Sequence, residues 1–299
     1  VHINYTDARA GRNWTVDGGQ INLDLRNQQT SLTSDFVLLT GEADVTRLQM
    51  SYQSPRTDRS ADIGVSVTNA RARDIASQTP ALAWLADVDA ALTATMRTGL
   101  NADGTLRPLN ATLAIGAGAL RPNRATEPLQ FDAAKTYLSY DPNDQKITFD
   151  QIEITAPLGR IEAAGQAYLS DFRDGKPQSL IAQFDAPVAR VAAGDIYADG
   201  LNLPPISADL RLGFDPFTLE IGQIALSEGD SHITARGRIS AHPTGWRVAV
   251  AAQAERLQND RFLALWPIGF NPNSRDWFAI NVIMGLHLGA ALALCFAQR

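Results

Sequence analysis

Apolar residues fall at every second position along most of this chain, and no other feature constrains its fold as strongly. Ile21, Leu23 and Leu25 alternate with Asn22, Asp24 and Arg26, and the same holds around Ile63, Val65 and Val67 and around Leu210, Leu212 and Phe214. A period of two sends alternate side chains to opposite faces of a strand, whereas a helix would scatter them around its circumference. In two places the alternation slips by one residue. Phe217, Leu219 and Ile221 give way to Ile224 and Leu226, which predicts a β-bulge or tight turn at Gly222-Gln223; Ile147 and Phe149 give way to Ile152 and Ile154.

Turn-forming clusters separate the alternating runs. They are Asp17-Gly18-Gly19, Asn101-Ala102-Asp103-Gly104, Asp141-Pro142-Asn143-Asp144, Asp174-Gly175-Lys176-Pro177, Glu228-Gly229-Asp230 and His242-Pro243-Thr244-Gly245. Roughly fifteen or more strands joined by short turns predict a long antiparallel meander. A loose motif recurs in it: TLAIGAGAL (112–120), IEAAGQAYL (161–169) and ITARGRIS (233–240), each a strand with a glycine-flanked patch of small residues.

Helical signals are few. Residues 71–86 suggest one or two short helices broken at Pro80. Residues 259–266 suggest a helix with Asn259 as a possible cap and Pro267 as its stop, and residues 274–284 one capped by Asn273 or Ser274 with Gly285 just past its end. So little helix cannot cover the apolar face of so many strands. Either two sheets bury their apolar faces against each other, or one face lies open as a trough for an apolar ligand. The expected fold class is therefore mainly β: a long curved antiparallel sheet or groove with a few short helices, as one elongated domain over residues 1–299. Candidate core or ligand-facing positions are Ile147, Phe149, Ile152, Ile154, Leu210, Leu212, Phe214, Phe217, Leu219 and Ile221.

The chemistry-bearing patterns are missing. With a net charge of −6 and no basic stripe, nucleic acid is not an expected partner. The single cysteine, Cys295, excludes an intrachain disulfide and thiolate clusters, and His2, His232, His242 and His287 have no paired spacing. There is no phosphate loop, dinucleotide fingerprint or G-x-S-x-G elbow, and Gly116 and Gly118 form a bare G-x-G. Asp141/Asp144 and Asp171/Asp174 sit in turn clusters, where aspartate serves turn geometry, and do not identify the facing carboxylate pair of a glycosidase. Asp103-Gly104 lacks the ligand series of a calcium loop. The expectation is a binding or carrying module, not an enzyme, with no catalytic residues, metal or cofactor.

Two stretches carry a family likeness. In 263–285 the skeleton is Trp266-Pro267, Pro272, Arg275, Trp277, Asn281 and Gly285; in 137–169, YLSYDPNDQKITFDQIEI is followed by LGRIEAAGQAYL. Together with FDPFTLEIGQIAL and GWRVAV they resemble AsmA-like proteins of the bacterial envelope, in the alphaproteobacterial subgroup with the YhdP-type central domain of unknown function, distant relatives of TamB. The resemblance implies a periplasmic β-groove, anchored in the inner membrane by a helix that is missing here, so that the chain is expected to be a fragment. It also implies phospholipid or another apolar ligand as partner, and a role in moving glycerophospholipid to the outer membrane. The alternative is an assembly module that adds strands to outer-membrane biogenesis partners. Within 263–285 the expected roles are structural: Pro267 and Pro272 shape a loop, Trp266 and Trp277 pin it and the following helix to the sheet, and Arg275 makes a surface or loop-capping contact.

Residues 278–297 contain no formal charge, long enough for a membrane helix. Asn281, His287 and two glycines oppose that, and Leu286, Leu288, Ala290, Leu292, Leu294 and Phe296 share one parity. A strand is the favoured expectation.

Overall fold

The computed structural model describes residues 2–7, 12–39, 45–76, 78, 80–194, 197–269, 271–281, 286–287 and 290–297. Strands β1 (His2–Asp7), β2 (Arg12–Asp24), β3 (Gln29–Leu39), β4 (Val45–Pro55) and β5 (Ala61–Arg71) open the chain. Helix α1 (Ala72–Ala76) and a 3-10 helix (Pro80–Asp87) follow, two short helical pieces as expected, with Pro80 opening the second. Next come β6 (Val88–Leu100), β7 (Leu109–Leu120), β8 (Leu129–Phe131), β9 (Ala133–Asp141), β10 (Lys146–Ala156), β11 (Gly159–Ser170) and β12 (Ser179–Val191). They are followed by β13 (Leu201–Leu203), β14 (Ile206–Gly213), β15 (Thr218–Glu228), β16 (Ser231–His242) and β17 (Gly245–Glu255). The C-terminal part holds β18 (Leu257–Gln258), α2 (Asn259–Leu265), α3 (Pro272–Asn281), β19 (Leu286–His287) and β20 (Ala290–Ala297).

Apart from the β18–β19 ribbon, the strands form one 18-stranded antiparallel sheet. Each long strand up to β17 pairs with the next long strand in the chain, and β20 reaches back past the helices to β17. Among the described residues β1 pairs only with β2 and β20 only with β17, so the sheet is not closed. The mainly-β expectation of a long curved antiparallel sheet or groove holds.

Both slips in the alternation are β-bulges inside continuous strands. In β15 the register with β16 jumps between Ile221 and Ile224, and in β10 the register with β11 jumps between Phe149 and Ile152. The extra residues return the following apolar side chains to the original face. The glycine-flanked motif falls on β7, β11 and β16. A Cβ at Gly165 would lie 2.1 Å from the Gln183 carbonyl oxygen, and one at Gly237 2.3 Å from that of Ala249. Only glycine lets the neighbouring backbone approach so closely.

Three local expectations need correction. Asp17-Gly18-Gly19 is not a turn between strands: it lies within β2 at a register slip between Val16 and Gly19. Helix α2 has Gln258, not Asn259, at its N-cap, with no side-chain cap bond, and Asn259 is a buried helical residue. Helix α3 starts at Pro272, two residues before the expected 274, because proline suits the first helical position where no N–H partner is needed. It runs to Asn281; Gly285 lies outside the described residues. The charge-free run forms strands at 286–287 and 290–297, and among the described residues no helix is long and apolar enough to cross a membrane.

Candidate functional site

The register brings the apolar parity of successive strands into line on one face. Tyr140, Ile147, Ala167, Ala182, Leu210 and Ile221 stand opposite one another from β9 to β15. Beside them run Leu138, Phe149, Gly165, Phe184, Ala208 and Ile224. A third row links Leu169, Leu180, Leu212, Leu219, Ile239 and Val248 from β11 to β17. Ile152 pairs with Ala163, and Ile154 with Ile161. Phe214 packs against the core beyond the end of β14, and Phe217 meets Trp246 edge-on at 5.7 Å. The ten candidate positions thus belong to the apolar side of one sheet and its margin. The other side is polar: Gln183 donates to Asp209 at 3.0 Å, and Arg238 pairs with Glu220.

The chain covers this apolar face unequally. From β5 to β12 it is closed, because α1 and the 3-10 helix set Leu82 and Leu85 against Leu92, Leu113 and Ile147, all fully buried. Trp84 meets the Phe149 ring edge-on at 6.3 Å. The sheet curls around this insert, so that the Trp246 indole N–H at the start of β17 donates to the Glu127 carbonyl between β7 and β8 at 2.7 Å. Burial, and secondarily the charge of Asp215 in the β14–β15 turn, lift the Asp87 carboxyl at the end of the 3-10 helix to about 6.

Near the N-terminus the face is bare. Ile21 and Leu23 on β2 are 58% and 59% exposed, with Met50 on β4 exposed beside them. Sheet-on-sheet closure would have buried them, and among the described residues no second sheet does so at this end.

Between β13 and β17 the face is roofed but not filled. A cavity of about 340 Å³ separates it from α2, where Phe262 and Leu265, with Trp266 just past the helix end, line the side facing Ile206, Ile224, Leu226 and Ile233. Ala252 and Ala254 leave room in its wall. The Tyr197 hydroxyl, at its edge, donates to the Leu265 carbonyl at 3.0 Å and ties down the end of α2. Phe262, Trp266 and Phe278 stack at 4.9 to 6.3 Å and bind α3 to α2. Trp266 is buried as an anchor, as its motif suggests, and Pro267 borders the cavity. Trp277 is not the second anchor: it is 61% exposed, and its neighbour Phe278 takes that place. Arg275 continues the first turn of α3, its N–H donating to the Asn271 carbonyl at 3.1 Å.

The carboxylates serve turns and ion pairs. Asp141 accepts from the Asn143 N–H at 2.9 Å, and Asp103 from the Thr105 N–H at 2.9 Å. Bonds from Ser179 and Arg211 hold the Asp171 carboxyl below the usual range. Among the described residues, no three His, Cys, Asp or Glu side chains cluster where a metal ion could be held. What the arrangement offers is apolar surface, part of it open and part of it forming a roofed cavity. Sequence reasoning named the strand residues but missed the cavity's roof and its Ala252–Ala254 wall, whose small side chains carry no signal of an empty space above them. Comparison with family models, curated proteins and solved structures finds no match to this chain.

Proposed function

We propose that this chain is a β-groove module of the bacterial envelope that binds phospholipid through the apolar side of its sheet, between the inner and outer membranes. The observation that carries this reading is an apolar face continued across one open sheet and left incompletely covered by the chain itself. Monomeric proteins seldom leave such surface bare without using it. The resemblance to AsmA-like envelope proteins supplies the lipid class and the compartment. The buried helical insert at β5–β12 favours holding a lipid over letting it run the length of the groove, since Leu82 and Leu85 occupy its middle.

The test is lipid extraction from gently purified protein followed by mass spectrometry. The expected result is phospholipid at a defined stoichiometry; a compact monomer free of lipid, unable to take up phospholipid from vesicles, would falsify the reading. A second reading, strand addition to assembly partners, is favoured by one feature. Among the described residues β20 pairs with β17 alone, and residues 290–297 carry no charge or proline, the devices that keep an edge strand from pairing. It predicts photocrosslinks from β20 to protein partners and no stoichiometric lipid.

A further inference from the structure

We propose that the cavity beneath α2 is a site for one linear alkyl chain, its polar head left outside in solvent. This rests on the lipid-binding reading above and narrows it to a place and a shape. The cavity runs across the sheet from Ile206 on β14, past Leu226 and Ile233, to Ala254 on β17. Three strand spacings make that path about 14 Å long. A single extended hydrocarbon chain of about eleven carbons spans that path, and the cavity volume of about 340 Å³ has room for it.

The lining makes water a poor occupant. Among the described lining side chains only Tyr197 and Gln253 are polar, and the Tyr197 hydroxyl already donates to the Leu265 carbonyl. A buried water needs two to four polar partners, which this space does not offer. Phe278 of α3, which stacks on Phe262 and Trp266, is not part of the cavity wall. An alkyl chain satisfies both the apolar walls and the length of the path from β14 to β17. Free fatty acids and phospholipids share that chemistry.

The experiment displaces cis-parinaric acid from the full chain with saturated fatty acids of eight to sixteen carbons, and in a parallel arm with lysophosphatidylethanolamines of the same lengths. Affinity should rise about fourfold per added methylene and level off near twelve carbons, where the chain outgrows the cavity. The arm with the higher plateau identifies the source; equal plateaus place recognition in the chain alone. Ala252→Trp, and independently Ile233→Phe, should weaken binding at least tenfold with near-ultraviolet circular dichroism retained. Ile181→Ser, on the opposite side of the sheet, should change nothing. A slope with no break near twelve carbons, or none at all, overturns the proposal without recourse to any variant, as does unchanged affinity in either folded cavity variant. If wild type and Ala252→Trp carry equal phospholipid, the module still binds lipid but not here. If neither carries phospholipid or takes it up from vesicles and the fatty-acid break persists, the cavity stands and the envelope-lipid reading falls.

Discussion

Asp87 shows how one side chain records the curl of the sheet. Its carboxyl is half-buried at the end of the 3-10 helix and faces the charge of Asp215 from a distant turn, which together raise it to about 6. An unfolded aspartate titrates near 4, so between about pH 4 and 6 the folded chain holds the extra proton. Stability therefore falls as pH rises through that window. Asp87→Asn is expected to stabilise the protein at pH 7.5 by about 1 kcal/mol, allowing for partial solvent screening, and to leave it nearly unchanged at pH 4. Urea denaturation at the two pH values checks this; equal effects at both would refute the assignment. Nothing in the residues around Asp87 forecasts Asp215 as a neighbour, because 128 positions of chain separate them. The same limit applies to Trp277 and Phe278. Sequence marks Trp277 as the anchor, and only the packing of α3 on α2 decides that its neighbour Phe278 takes that place.

At the scale of elements, strands and bulges were legible because alternation is a local code. The parity slip at Gly222-Gln223 left a bulge or a tight turn open, and strand pairing decides for a bulge there and at the second slip after Phe149, which keeps Ile224 and Ile152 on the apolar side. Asp17-Gly18-Gly19 misled because a bulge and a turn favour the same residues. The role of the insert at 72–87 was not legible. A pair of short helices broken by Pro80 gives no sign of whether it lies on the surface or, as here, forms the central packing of the molecule. Leu82→Ala should then cost about 2–5 kcal/mol of unfolding free energy, the range for deleting a fully buried leucine where the site cannot collapse. Chemical denaturation measures it, and a loss below about 1 kcal/mol would show the insert to be an accessory.

For the molecule as a whole, the open choice between a closed sandwich and a trough has an answer that alternation could not supply. One face is shut at β5–β12, bare at β2–β4 and roofed over a cavity at β13–β17. Each state depends on what lies across the curl, and cross-curl contacts leave no periodic trace. The hydrogen bond from Trp246 to Glu127 is the clearest tie between the two walls. Trp246→Phe keeps the ring against Phe217 but removes the donor, and should lower stability by about 1–3 kcal/mol. Differential scanning calorimetry would register it as a lower melting temperature; an unchanged one would mean the walls are held by apolar packing alone.

The order of pairing has a further consequence, for how such a chain comes to be folded. Nearly every strand finds its partner in the hairpin just before it, so hydrogen bonding is local although the sheet is very wide. Local pairings form quickly and carry little loop-closure penalty. A ribosome releasing this chain would deliver one completed hairpin after another, each docking on a template already in place. The sticky row along the apolar side would then spend little time unpaired, and two stitches, β6 reaching back to β5 and β20 to β17, must each wait for a helical segment between them to be made.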